Sequence, residues 1–206
     1  MSTPNWAEIL EAIGSLVVAV LAIWGDQVRA WLFGPKLELS LAHDVPDLTN
    51  RNDGKKALFY HLRITNHGHT LAEAVTVRCT SIWRKAADGK YRSEQLLYPV
   101  LLRWTPAELG RVLVSVRTSD VCDLGSLVEN EARFEIAALV RPNNFRGSVA
   151  GNESIVVGIE AIGKNVTSKP YFVEISWDGV WSPNINEMAA QHLVVRPANR
   201  RDIASL

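Results

Sequence analysis

The hydrophobic and polar positions divide the chain into two parts with different periods. Residues 12–25 carry no charge, and Trp6 and Leu10 extend this run towards the N-terminus. Apart from Ser15 the run is apolar on every face, which is typical of a helix surrounded by lipid. From Lys36 onward apolar and polar residues alternate in several stretches, which is typical of β-strands with one buried face.

The first pattern predicts a transmembrane helix over residues 4–33, with Thr3 as its N-cap and Gly34-Pro35 as its stop. Such a helix would be about 45 Å long, enough for a hydrocarbon core of roughly 30 Å and both interfaces. We therefore assign residues 1–35 to a membrane anchor whose partner is the lipid bilayer. The residues expected to contact lipid are Trp6, Leu10, Leu16, Val17, Val18, Val20, Leu21, Ile23 and Trp24.

Two other interpretations of this helix remain open, a buried or interfacial helix and a cleaved signal peptide. A signal peptide needs a basic start, whereas the first ten residues contain no Lys or Arg. The basic residues instead follow the helix, at Arg29, Lys36, Arg51, Lys55 and Lys56. By the positive-inside rule, this asymmetry predicts a single-pass protein of the cell inner membrane with its N-terminus outside and its C-terminal domain in the cytoplasm.

The second pattern predicts an all-β domain over residues 36–206. Period-two alternation is clear at residues 36–41, 58–65, 75–80, 155–161 and 171–177, and further strands are expected near 91–97, 111–117, 132–140 and 193–196. Turns are expected at Asn66-His67-Gly68, Asp88-Gly89 and Asp178-Gly179, and one short helical turn at residues 186–191. Strands with one apolar face favour antiparallel sheets packed face to face as a β-sandwich.

Several segments resemble known proteins. Residues 60–77 resemble the strand-turn-strand of many immunoglobulin-like domains. The order of features also resembles a group of uncharacterised bacterial membrane-anchored proteins; the matching segments are Gly34-Pro35 before the first strand, Leu102-Arg103-Trp104, residues 122–125 and residues 177–181. The resemblance implies an immunoglobulin-like antiparallel β-sandwich behind a transmembrane helix, and it implies no activity.

Composition and motifs point away from catalysis and nucleic-acid binding. The 22 basic and 22 acidic residues give no basic excess, and the two cysteines are expected to be reduced thiols. His67 and His69 flank a glycine without a recognisable third ligand, and residues 43–56 lack the regular oxygen spacing of a calcium loop, so we interpret them as a flexible linker or hairpin loop. Lys55-Lys56 and Arg200-Arg201 are interpreted as solvated surface charge. We predict no catalytic residue, no cofactor and no metal.

The aromatic residues give the candidate interaction surface, formed by Trp177, Asp178 and Trp181. An exposed tryptophan there would suit protein recognition, although packing of both rings in the sandwich is the simpler interpretation. The sequence thus predicts a membrane-anchored, non-catalytic protein that binds another protein or forms a homo-oligomer at the cytoplasmic face. The alternative is a ligand-sensing or membrane-disturbing effector, which would need a concave polar pocket for a small molecule. An enzyme would need perturbed carboxylates beside His61 or His192 in a cleft.

Overall fold

The computed structural model describes residues 5–105, 112–115 and 117–199. It begins with helix α1, Trp6–Phe33, of 28 residues. The side-chain carbonyl of Asn5 accepts the N–H of Ala7 at 3.2 Å at its start. The predicted N-cap Thr3 and first helical residue Pro4 lie outside the described residues. The helix ends where Gly34-Pro35 predicts, because proline lacks the N–H that the helix would need and restricts the preceding residue.

The first sheet is antiparallel and has six strands in the order β1-β3-β8-β9-β10, with β2 also paired to β3. Its strands are β1 (Leu37–Leu41), β2 (Asp47–Asn50), β3 (Lys56–Asn66), β8 (Ser119–Val128), β9 (Arg133–Ile136) and β10 (Ser148–Ala150). Because β1 is terminal in this order, one of its sides has no strand partner among the described residues.

The second sheet is also antiparallel and has eight strands, in the order β14-β13-β11-β4-β5 with β6 and β7 paired to β4 and β12 paired to β11. Its strands are β4 (Ala72–Lys85), β5 (Tyr91–Glu94), β6 (Val100–Leu101), β7 (Val112–Val114), β11 (Glu153–Gly163), β12 (Val166–Thr167), β13 (Tyr171–Trp177) and β14 (Leu193–Pro197). Between β13 and β14 lie α2 (Ile185–Glu187) and a π-helical turn (Met188–His192), which together confirm the predicted helical turn.

Both sheets contribute to one hydrophobic core. The inward row of β3 consists of Leu58, Tyr60, Leu62 and Ile64, each no more than 1% exposed, and β11 and β13 supply Val157, Ile159, Val173 and Ile175. These rows follow the period-two alternation that the sequence predicts. The structure therefore confirms a mostly β protein of two antiparallel sheets preceded by one apolar helix.

Polar contacts also link the two sheets. The Tyr60 hydroxyl on β3 donates to the carbonyl of Leu193 on β14 at 3.1 Å, and Tyr171 on β13 accepts the N–H of Leu41 on β1 at 3.2 Å. Arg84 on β4 donates to the carbonyl of Ser148 on β10 at 3.1 Å, and it also bonds Glu153 of its own sheet at 2.7 Å. Because these bonds are directional, they fix the alignment of the sheets in a way that apolar burial alone does not.

Three local predictions need correction. Residues 43–56 are not a flexible linker but include a hairpin, because they contain β2, which pairs with β3 through a turn in which Gly54 has φ of 81°. Strand β8 was not predicted at all. The Asp178-Gly179 turn does not close a tight hairpin, since α2 and the π-helical turn intervene before β14.

Candidate functional site

The most unusual surface of the molecule is α1. Within its apolar segment Trp6–Arg29, which is long and apolar enough to cross a membrane, none of the most apolar window is buried against the rest of the protein. Of the predicted lipid-contacting residues only Val20 is half-buried; the others are exposed. A soluble protein rarely leaves so much contiguous apolar surface uncovered. Most apolar side chains of α1 therefore lie outside the hydrophobic core that the two sheets form.

The connection between α1 and the β domain is built around Asn66, which is fully buried at the end of β3. Its side-chain oxygen accepts the N–H groups of Lys36 at 3.1 Å and Gly68 at 2.9 Å. Its side-chain nitrogen donates to the carbonyls of Thr70 at 2.8 Å and Val114 at 3.2 Å. One amide thus satisfies four backbone groups, which belong to β7, to the chain just before β1 and to the turn after β3.

Gly68 lies against the three residues that follow α1. A Cβ atom at Gly68 would lie 2.6 Å from the Cα of Pro35 and 2.7 Å from the nitrogen of Lys36, and it would also overlap the carbonyl oxygen of Gly34. Beside this contact the rings of Phe33 and His69 meet edge to face with centroids 6.1 Å apart. The chain between α1 and β1 is therefore packed against the turn after β3 and is not a free linker. We call residues 33–36 and 66–70 the junction.

The predicted interaction surface lies at the corner after β13. Trp177 is 3% exposed and its indole N–H donates to the carbonyl of Val180 at 3.0 Å. Trp181 is half-buried and packs against the core. Of the three predicted residues only Asp178 is exposed, and neighbouring Val180 is 49% exposed. Contacts with a partner at this corner would therefore involve Asp178 and Val180 more than the tryptophan rings.

A polar cleft of about 450 Å³ opens beside this corner. It is lined by Ser154 and Ser176, by Lys85, and by Asp178 with His192, whose ring nitrogen lies 2.8 Å from the carboxylate. Burial acts most strongly on Asp178 and raises its pKa, but hydrogen bonds from His192 and Val180 outweigh it, so the pKa lies below its ordinary value. The cleft supplies the concave polar pocket that the ligand-sensing alternative requires.

An exposed apolar patch that the sequence analysis did not single out lies on the side of the domain. It consists of Leu97, Tyr98, Leu101 and Val140, which are between 39% and 75% exposed. The N–H of Leu139 donates to the carbonyl of Leu101 at 2.7 Å, which places the two contributing segments side by side. Residues 96–102 are all apolar, and this run is the feature of the sequence from which the patch could have been predicted. We call these four residues the lateral patch.

A second histidine cluster lies where β2, β3 and β8 meet. His61 contacts Asp123 through Nδ1 at 3.0 Å and Asp47 through Nε2 at 3.2 Å, and Thr105 donates to the same Asp123 oxygen. The hydrogen bond with Asp123 is the main reason why the pKa of His61 is raised. Burial raises the pKa of Asp123, but hydrogen bonds from His61 and Thr105 outweigh it and leave that pKa below its ordinary value. Through these contacts the side chains of His61 and Asp123 hold β2 and residues 103–105 against β3 and β8.

Replacing His61 with glutamine is expected to change how stability depends on pH. A histidine with a raised pKa stabilises the fold fully below its unfolded pKa of about 6.5, and this contribution disappears as the pH rises through the folded pKa. The lowered pKa of Asp123 stabilises the fold above about pH 3.9 and this contribution disappears as the pH falls further. Thermal unfolding of the full chain in detergent, measured from pH 4 to 9, should show the alkaline loss in the wild type but not in His61→Gln.

The matched control is His43→Gln, which changes an exposed histidine in the loop after β1 and should keep the wild-type profile. If the stability of His61→Gln still falls at alkaline pH, His61 is not the group that causes the fall.

The described residues contain no group of three or more His, Cys, Asp or Glu side chains that could hold a metal ion. His67 is exposed and pairs with Glu38 at 2.8 Å, and His69 contacts Phe33. Both cysteines are buried and free, and burial raises the pKa of the Cys79 thiol to about 12.

Comparison with known proteins identifies no family and no function for the chain. No family model matches the chain, and no curated protein matches it. A solved target of the Northeast Structural Genomics Consortium aligns with a TM-score of 0.30 at 10% identity, covering 73% of this chain and 89% of the target. A Bordetella pertussis protein described as a putative ApaA protein aligns with a TM-score of 0.30 at 12% identity, covering 69% of this chain and 89% of that protein. Likenesses this weak carry no argument about function.

Proposed function

We propose that this chain is a single-pass membrane protein whose β domain, an immunoglobulin-like sandwich, binds another protein or a second copy of itself at the cytoplasmic face of the inner membrane. The observation that supports it most is the exposure of α1, whose most apolar segment is not buried against the domain. A bilayer covers such a helix on all sides. The domain is then confined to the membrane surface, which raises its effective concentration towards partners on the same surface.

The distribution of basic residues supports the orientation. Residues 5–28 contain none, whereas Arg29 ends the apolar segment, Lys36 follows it and further basic residues lie in the domain. Such an excess after the helix favours retention of that side in the cytoplasm. The lateral patch supports the protein-binding role, because exposed Tyr98 and Val140 offer apolar area that a partner surface would cover.

Thiol accessibility in intact cells tests the topology. We expect an impermeant maleimide to label Asn5→Cys before lysis and Val140→Cys only after lysis, because the two positions would lie on opposite sides of the membrane. The native cysteines are buried and should remain unlabelled in the folded protein. The reversed labelling order would overturn the orientation, and release of the protein by alkaline carbonate would overturn the span itself.

The same variants test the interaction. A short bis-maleimide added to inverted membrane vesicles should cross-link Val140→Cys to a partner or to a second copy, while Lys90→Cys, an exposed position in the β4–β5 turn, serves as the matched control. Equal cross-linking at both positions would contradict a role for the lateral patch.

The polar cleft beside His192 favours a second candidate, the ligand-sensing effector that the sequence leaves open. Lys85, Asp178 and two serines offer both charges and hydroxyl groups to a small polar molecule. This candidate predicts that protein purified from cells carries a small molecule, which mass spectrometry after denaturation would detect. An empty cleft that also fails to bind metabolite extracts would leave the first candidate.

A further inference from the structure

A groove of about 410 Å³ lies directly beside the junction, between the open side of β1 and the chain that enters β13. Its lining combines apolar Leu37, Leu39, Pro170 and Tyr171 with the charged or titratable side chains of Lys36, Glu38, His67 and Lys169. Lys36 follows the end of α1, so the groove lies at the end of the apolar helix.

The groove is lined by two lysine side chains that are available to a ligand. Lys36 and Lys169 are both exposed, and neither side chain makes an ion pair within the described part of the chain. The one carboxylate of the lining, Glu38, is bound to His67 at 2.8 Å, which satisfies it locally. Two ammonium groups and one carboxylate therefore line the groove, which leaves it with an excess of positive charge.

The open side of β1 adds backbone donors. His67 donates its N–H to the carbonyl of Lys36 at 2.8 Å, and Ala42 donates to the carbonyl of His61 at 2.9 Å. Because alternate residues of an antiparallel strand bond the same neighbour, Leu37 and Leu39 direct their N–H and C=O groups away from β3. Leu41 shows the same direction, since its N–H reaches the hydroxyl of Tyr171 at 3.2 Å.

We propose that this groove binds the headgroup of an anionic glycerophospholipid, with Lys36 and Lys169 on the phosphate. This inference rests on the proposed membrane span, which places the groove at the level of the headgroups. The N–H groups of Leu37 and Leu39 donate to phosphate oxygens, and their carbonyls accept the hydroxyls of a glycerol headgroup such as that of phosphatidylglycerol. The bilayer surface supplies this ligand at high local concentration.

The test is a titration of the full chain in zwitterionic detergent micelles with phosphatidylglycerol, followed by native mass spectrometry of retained lipid. The double variant Lys36→Gln/Lys169→Gln should bind about twenty-fivefold more weakly than the wild type, because each basic group near anionic lipid contributes about fivefold. The matched control is Lys55→Gln/Lys56→Gln, which removes two lysines at the far end of β3, roughly 33 Å away. The control should bind as the wild type does.

Several results would overturn the proposal. Equal losses in both double variants would indicate general charge attraction without a site, and equal retention of phosphatidylcholine would remove the anionic preference. Displacement of the lipid by millimolar soluble glycerol phosphate would make the groove a site for free phosphates. Binding of an oligoglutamate peptide in place of lipid would assign it to an acidic protein segment. Carbonate extraction of the same protein separates these outcomes from failure of the membrane span.

Discussion

Asn66→Ala is expected to lower the free energy of unfolding of the β domain by about 4 kcal/mol, a large loss for a single polar substitution. The substitution removes the side-chain partner of four backbone groups, the N–H groups of Lys36 and Gly68 and the carbonyls of Thr70 and Val114, of which those of Gly68 and Val114 belong to buried residues. An unsatisfied buried group costs about 1–3 kcal/mol, and water entering the space recovers part of the sum. Chemical denaturation of the full chain in detergent, followed by near-ultraviolet circular dichroism, measures this loss.

The control for this prediction is Asn186→Ala, which changes an exposed asparagine in α2 whose side chain makes no hydrogen bond within the described residues. Its unfolding midpoint should match that of the wild type. A loss for Asn66→Ala below about 1 kcal/mol, the value of one ordinary hydrogen bond, would show that the four contacts are not made together in the folded protein.

Gly68→Ala is expected to cost about 3 kcal/mol, in spite of the small gain that replacing glycine by alanine usually brings through the unfolded chain. The atoms that the new Cβ would meet belong to the backbone of residues 34–36, so no rotation of a side chain relieves the overlap. The chain between α1 and β1 must move instead. We expect a lower unfolding midpoint and faster proteolysis between Phe33 and Leu37.

Gly25→Ala is the matched control, because a Cβ at Gly25 in α1 meets nothing within 4 Å. It should leave both the midpoint and the cleavage rate unchanged. If Gly68→Ala is cleaved no faster than the wild type, the junction is packed less tightly than the structure indicates.

The sequence predicted the strands whose side chains alternate, and it failed where other contacts interrupt that alternation. β3 and β13 have one row facing the core and one facing out, so their apolar period is visible. β8 is buried over Cys122–Gly125 on both sides of the strand, and a bulge in its pairing with β3 shifts the register there. Gly125 is small because a Cβ would overlap the ring of Phe134, a constraint that only the folded chain reveals.

The junction could be predicted only in part. Gly34-Pro35 and Asn66-His67-Gly68 were each recognised as local signals, for a helix end and for a turn. Their contact with each other was not predicted, because it joins positions about thirty residues apart. Neither Asn66 nor Gly68 has a positive φ, so the turn needs these two residues for hydrogen bonding and for space.

The packed junction bears on how two anchored copies would meet. A domain on a flexible tether tumbles freely. It must lose rotational freedom before it can dock, and this loss costs free energy at each encounter. Here the helix end and the first strand are joined without slack, because Gly34 and Pro35 lie against Gly68 and Lys36 is bonded to Asn66. In a bilayer, two such copies would find each other only by moving within the membrane plane and by rotating about the membrane normal. Encounters between copies would then be decided by which side of the domain each presents to its neighbour.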